Sequence, residues 1–256
     1  IICDLANETI DLTTLPNING VVHLAGATLG AGKDESLFLH ANELTTVRLL
    51  QALTGICNKF VFASSQVVYG DVCHQAVTED FPVSSYGSAY ACSKLNSENW
   101  IRWFQLRHGG SYLILRFCGF LDGGGLVDYI IDRAIEDQPI ELFSDGRVCR
   151  DYLPSSDGID VIIKALEYKG RSSFLPVNIG SEQSVSAHTL ARVVCSELDS
   201  KSPIRFLTDP APQGDFIFSI DRARKLFQFE PSDLIKSVQQ YAREKKNNKN
   251  NKKYND

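Results

Sequence analysis

Short apolar runs alternate with stretches of helical period through the first half of the chain. Val21-Val22-His23-Leu24-Ala25 stops at Gly26, and Lys59-Phe60-Val61-Phe62-Ala63 stops at Ser64-Ser65. Runs of this length, bounded by turn formers, read as buried strands. Between them, Leu39, Leu44, Val47 and Leu50 recur at helical spacing and predict a helix from Ser36 to about Leu53. A loop rich in Pro, Ser and Gly leads to Gly87; a long helix is predicted from Tyr90 to His108, closed by Gly109-Gly110, and a strand from Ser111 to Leu115 with Arg116 just beyond it. Strand, helix, strand, helix, strand implies an α/β fold: a Rossmann-like, doubly wound parallel sheet.

Beyond Gly125 the elements are shorter. Helices are predicted near Leu126–Asp137, Asp157–Tyr168, Ala187–Leu198 and from about Ser232, with a turn at Asp145-Gly146 and a strand at Val177-Asn178-Ile179-Gly180. The expected division is a sheet domain over 1–122, a smaller C-terminal α/β substrate lobe over 123–242 that interleaves with it, and a tail over 243–256.

Charge sets that tail apart. The 256 residues carry a formal net charge of −5, yet Arg243 to Asp256 alone is +4, leaving −9 elsewhere. Its Lys/Asn run lacks apolar residues and is expected to be disordered. The acidic remainder argues against nucleic acid as a partner, and no apolar run approaches the roughly 18 residues that cross a bilayer. Seven cysteines without a Cys-x-x-Cys pair indicate buried free thiols in a reducing cytoplasm. Five scattered histidines, with no His-x-x-x-His, offer no zinc site. The chain has no methionine and opens on what reads as a strand at Ile1–Leu5, so the natural start is expected upstream.

The candidate chemistry centres on Tyr90-Ala91-Cys92-Ser93-Lys94. At i, i+4 a phenol and an ammonium share one helix face, and the ammonium is expected to pull the phenol below its usual range near 10, toward acid–base use. Spacing alone does not decide this, because Tyr241 and Lys245 repeat it. Context does separate them: Ser65 lies where a strand runs into a turn, and ligands of open α/β sheets sit at such strand ends. Ser, Tyr and Lys together suit proton transfer at a carbinol carbon while a cofactor moves the hydride. Read without function, Ser64 and Ser65 are turn formers and Tyr90/Lys94 a solvated pair.

With these residues the chain resembles the extended short-chain dehydrogenase/reductases, in particular the NAD-dependent epimerase/dehydratase group typified by UDP-glucose 4-epimerase. The matches run in order along the chain: Asp4-Leu5, His23 through Ala27, Asn42, Ser65 through Gly70, Tyr90 to Lys94, Arg116-Phe117, Gly146 through Tyr152, Asp157, Val177 through Gly180 and Gly214-Asp215. The resemblance implies catalysis by Ser65, Tyr90 and Lys94. It implies NAD or NADP held by Asp4, Leu5, Leu24, Ala25, Gly26, Asn42, Tyr90, Lys94 and Phe117. It implies a nucleotide-sugar held by Ser65, Gly119, Arg150 and Asp215, and a homodimer through helices 36–53 and 90–108. The expected reaction is epimerisation by transient oxidation. Reduction of a keto sugar is the alternative, and a non-catalytic binding remnant the second alternative.

Four departures qualify the resemblance. The family's opening Gly-x-x-Gly-x-x-Gly turn has no counterpart here, which implies a first βαβ unit of roughly 50 residues outside this sequence. Gly119 stands for an asparagine and Gln213 for an arginine that normally hold the diphosphate, so one bidentate contact is lost. At the positions where dehydratases carry carboxylates stand Gln66 and Val67, which disfavours water loss. The choice between NAD and NADP is set within the missing unit.

Overall fold

The computed structural model describes residues 3–8, 10–12, 15, 17–28, 34–70, 76–143, 145–170, 173–208 and 215–253. β1 (Val21–His23) leads to α1 (Glu35–Phe38), whose first turn is capped where the Asp34 carboxylate accepts the Ser36 amide at 2.9 Å. α1 continues through a π-helical stretch, Leu39–Leu44, into α2 (Thr45–Leu53). β2 (Lys59–Ser65) runs into a 3₁₀ turn, Gln66–Tyr69, and β3 (Ala76–Val77) comes after it. Next is α3 (Ala89–His108), started by the Ser88 side chain and closed by Gly109 at a φ of 70°.

β4 (Ser111–Phe117) lies parallel to β2, and β1 pairs with β2 on its other side. Arg116 therefore sits inside the strand, not beyond its end. Then come β5 (Gly119–Phe120), α4 (Leu126–Ile135), β6 (Ile140–Leu142), β7 (Cys149–Arg150), β8 (Tyr152–Leu153) and α5 (Ser155–Glu167). β9 (Ser173–Ile179) joins the far side of β4, completing a parallel sheet of order β1-β2-β4-β9. β10 (Val185–Ser186), α6 (Ala187–Leu198), β11 (Ile204–Phe206), β12 (Ile217–Phe218), α7 (Asp221–Phe227) and α8 (Leu234–Lys253) finish the chain.

Alternation along the strands gives the sheet two buried faces. Phe60, Phe62, Tyr112 and Ile114 pack against Leu49, Leu50 and Leu53 of α2 and Ile101 and Phe104 of α3. Val61, Leu113, Leu115 and Val177 face the other way, toward Val161 and Ala165 of α5 and Ala223 and Phe227 of α7. A separate core gathers α4, α6 and α8 through Ile130, Leu190, Val194 and Val238. Thus α5, β9 and α7, although late in the chain, return to the sheet.

Two expectations are corrected. Residues 3–5 are not a strand: Asp4 caps a turn, accepting from the Ala6 amide at 2.9 Å. The basic tail is not disordered through its first eleven residues, because α8 continues to Lys253. Its charges meet carboxylates of the lobe: Arg243 with Glu197 at 2.6 Å, Lys245 with Asp128 and Asp132 at 2.5 and 2.9 Å, and Lys249 with Glu136 at 2.5 Å. Residues 254–256 lie outside the described residues. Among the described residues, no helix is long and apolar enough to cross a membrane.

Candidate active site

Ser65 closes β2, directly opposite Phe117 at the end of β4. α3 lies across this end, with Tyr90 in its first turn and Lys94 one turn on. The Ser65 side chain neighbours the Tyr90 phenol and acts on its proton, and the Phe38 ring meets it edge-on at 5.9 Å. Lys94 is 7% exposed; its Nζ donates to the Ala63 carbonyl at 2.9 Å and stands 5.9 Å from the Tyr90 ring centroid. The three expected catalytic side chains therefore meet at one strand end.

Their electrostatics differ from expectation. Burial pushes the Tyr90 phenol above its ordinary value, with the Ser65 side chain opposing. The anticipated lowering by Lys94 does not govern the phenol here. Lys94 itself is pulled down to about 8 by burial, against the attraction of Glu98. His23, buried beside the Phe62 ring, is lowered to about 4 by burial and by the Lys94 charge, so it is neutral at pH 7.

Beside this set the end of β1 is uncovered: Leu24, Ala25 and Gly26 are exposed. Asn42, carried by the π-helical stretch, is buried and pins the loop that leaves this strand end. Its Oδ1 accepts the Ala27 amide at 2.7 Å, and its Nδ2 donates to Ser93 Oγ at 2.8 Å, joining the loop to α3. A Cβ on Gly26 would lie 2.6 Å from Asn42 Oδ1, so only glycine fits that approach. An exposed strand end, a pinned loop and a hydroxyl–ammonium pair fit the nicotinamide-ribose part of a dinucleotide. Phe117, 5% exposed, packs on Phe120 at the end of β4. Asp4 and Leu5 sit on the N-terminal turn, which Arg48 ties to α2 through the Ala6 carbonyl.

The second site is a cavity of about 580 Å³ in the lobe, lined by Leu126, Tyr129, Leu142, Phe143, Arg150 and Tyr152 among others. Arg150 lines it from β7. Burial pushes the Tyr152 phenol up to about 12, so it is a neutral hydrogen-bonding group there. Gly119 has a structural reason for lacking a side chain, since its Cβ would meet the Tyr152 ring at 3.2 and 3.3 Å. Asp215, expected to bind substrate, accepts the Cys149 amide at 2.8 Å, next to Arg150 in β7. Gln213 and Gly214 lie outside the described residues. The six described cysteines are free, and only Cys118 is fully buried.

Sequence reasoning missed a buried network under this site. Glu98, one turn beyond Lys94, accepts Ser64 Oγ at 2.5 Å and pairs with Arg116 through Nε at 3.1 Å and Nη2 at 2.6 Å. Arg116 Nη1 donates to the Tyr69 hydroxyl at 2.8 Å, which donates to Asn178 at 2.7 Å. The available signal was a charged residue placed inside each of two otherwise buried patterns.

The model of the NAD dependent epimerase/dehydratase family matches residues 1–180. This chain belongs to that family. Among its relatives, a protein of Methanocaldococcus jannaschii named as a UDP-glucose 4-epimerase is 26% identical over 219 residues, 81% of this chain and 70% of that protein. A dTDP-4-dehydro-6-deoxyglucose reductase of Escherichia coli is 27% identical over 89% of this chain and 75% of its own length. Among solved structures, a tyrosine-to-phenylalanine variant of the UDP-glucuronic acid 4-epimerase of Bacillus cereus, with NAD and a fluorinated UDP-sugar, superposes with a TM-score of 0.83. It is 25% identical, covering 95% of this chain and 81% of that one. Family members are thus named for epimerisation and for reduction on one scaffold.

Proposed function

We propose that this chain is an NAD(P)-dependent nucleotide-sugar epimerase, with Tyr90 as its proton-moving group. The observation that carries the reading is the meeting of Tyr90, Ser65 and Lys94 at the end of β2, beside the uncovered end of β1. NAD(P), when bound, supplies hydride acceptance and return at the sugar carbon. The residues do the rest. Ser65 orients the sugar hydroxyl by hydrogen bonding, and Tyr90 removes its proton as the carbon loses hydride, leaving a ketone. With hydride returned to the opposite face, Tyr90 gives the proton back to oxygen. The Lys94 charge offsets the cost of the phenolate, which burial otherwise disfavours. Arg150 and the lobe cavity hold the nucleoside diphosphate, so that the sugar alone reaches β2.

Reduction of a nucleotide keto-sugar is the second reading, favoured by the likeness to the E. coli reductase. Gln66 and Val67 offer no acid or base for dehydration. Trp100, Trp103 and Leu106 on α3 are exposed, as are Leu39 and Leu44 on the neighbouring helix. These suit a homodimer in which both helices pack on their symmetry mates, in a cytoplasmic enzyme with reduced thiols. Sedimentation velocity at micromolar concentration tests the dimer, a monomer refuting it.

The activity is tested by incubating the protein with NAD and UDP-glucose or UDP-glucuronic acid and separating the C4 epimers. Tyr90→Phe is expected to lower turnover by at least a hundredfold with the fold unchanged. Wild-type turnover in that variant would refute the assignment.

A further inference from the structure

α3 carries Tyr90, Lys94 and Glu98 at i, i+4 and i+8, on one face. β2 ends in Ala63, Ser64 and Ser65. Two of the helix residues hold strand residues, Lys94 the Ala63 carbonyl and Glu98 the Ser64 hydroxyl, while Tyr90 neighbours the Ser65 side chain. Glu98 is 2% exposed and Arg116 4% exposed, so their pair lies wholly inside the protein. Buried pairs contribute little net stability compared with well-packed apolar residues. Stability alone therefore does not account for a carboxylate at this point.

We propose that Glu98 is a positioning residue for the proton-moving set. With Arg116 and Ser64 it fixes the end of β2 beneath Tyr90, and it sets a carboxylate one helical turn behind the Lys94 ammonium. The inference rests on the proposed roles of Tyr90 and Lys94.

The charges facing Lys94 support it. Burial drives the ammonium toward neutrality, and Glu98 is the carboxylate that opposes this. From β1, His23 is neutral. From β4, Arg116 is positive and is bonded to Glu98 and to Tyr69 of the 3₁₀ turn. On the π-helical stretch, Glu43 is engaged with Asn96 at 3.0 Å on the exposed side. Removing the Glu98 charge leaves Lys94 without the carboxylate that opposes its burial, and Lys94, unlike Arg116, is able to release a proton. The phenol then loses its support.

The test measures epimerisation against pH in Glu98→Gln, Glu98→Asp and the neutral pair Glu98→Gln/Arg116→Gln. The double variant removes the stranded guanidinium that destabilises the single one. In Glu98→Gln, kcat is expected to fall at least tenfold at pH 8 with KM within twofold, and the alkaline limb of kcat to move toward acid by about one unit. Glu98→Asp is expected to restore part of that limb. The double variant is expected to show a smaller shift in the same direction. A folded Glu98→Gln with the wild-type limb and kcat overturns the proposal, as does a raised KM with kcat kept. Loss of the fold in both glutamine variants overturns it too, by making Glu98 a residue of the scaffold. Tyr90→Phe in the same assay separates the two claims. If it retains turnover the proposed function fails; if it is inactive while Glu98→Gln is normal, only this inference fails.

Discussion

Lys94→Met is expected to make the protein more stable and less active. The ammonium is 7% exposed, and burial lowers it from 10.5 to about 8. At about 1.4 kcal/mol per unit, keeping that charge in the folded protein at pH 7 costs roughly 3 kcal/mol. Methionine fills the same space without charge. It gives up the hydrogen bond to the Ala63 carbonyl, worth about 1 kcal/mol, and leaves Glu98 paired with Arg116 and Ser64. The net gain is about 2 kcal/mol, or roughly 4–8 °C in Tm for a chain of this size. The sign carries its own control. The folded pKa lies below the unfolded one, so the unfolded chain binds more protons between pH 8 and 10.5, and wild-type stability rises across that window. The advantage of Lys94→Met is therefore full below pH 8 and gone by about 10.5. Urea melts of both proteins from about pH 6.5 to 10.5, tracked by Trp100 and Trp103 fluorescence, measure it. A variant less stable than wild type at pH 7, or a difference independent of pH, would refute the reasoning.

Three further outcomes are expected. Tyr241→Phe removes a 2.6 Å hydrogen bond to Asp128 and should cost about 1 kcal/mol in thermal melts, with kcat unchanged. Arg150→Ala should weaken UDP-sugar binding by about 1.5–3 kcal/mol in calorimetry, the value of a charge-assisted bond; unchanged affinity would remove Arg150 from the site. Gly119→Asn should destabilise by about 1–3 kcal/mol through overpacking on Tyr152, without tightening UDP-sugar binding.

Period and turn chemistry were enough to read the strands of the sheet and the helices on its faces. β2, β4 and β9 are apolar on both sides because both faces are covered. The features that escaped depend on partners far away in the chain. Arg116 ends an apolar run, which reads as a strand end, yet Glu98 lets it stay buried within β4. The Lys/Asn tail has no apolar period, but Glu197, Asp128, Asp132 and Glu136 line up along α8 and receive its charges. No local window contains those carboxylates.

The two Tyr-x-x-x-Lys pairs show where site reasoning from spacing stops. Both put a phenol and an ammonium on one helix face, and the structure gives them opposite surroundings. Lys245 meets two carboxylates and is raised, while its neighbour Tyr241 donates to Asp128 and is pushed up by burial and by that carboxylate. A phenol held by a carboxylate keeps its proton, and its ammonium is already neutralised, so the pair is a clamp between α8 and α4. Lys94 feels the Glu98 carboxylate, already shared with Arg116 and Ser64, and Tyr90 meets a hydroxyl. That pair keeps an ammonium bonded to a carbonyl, rather than to a carboxylate, beside a phenol at an open strand end. The chemistry depends on which anions the fold brings to each lysine, and that is a property of the packing of α3 on β2, not of the spacing.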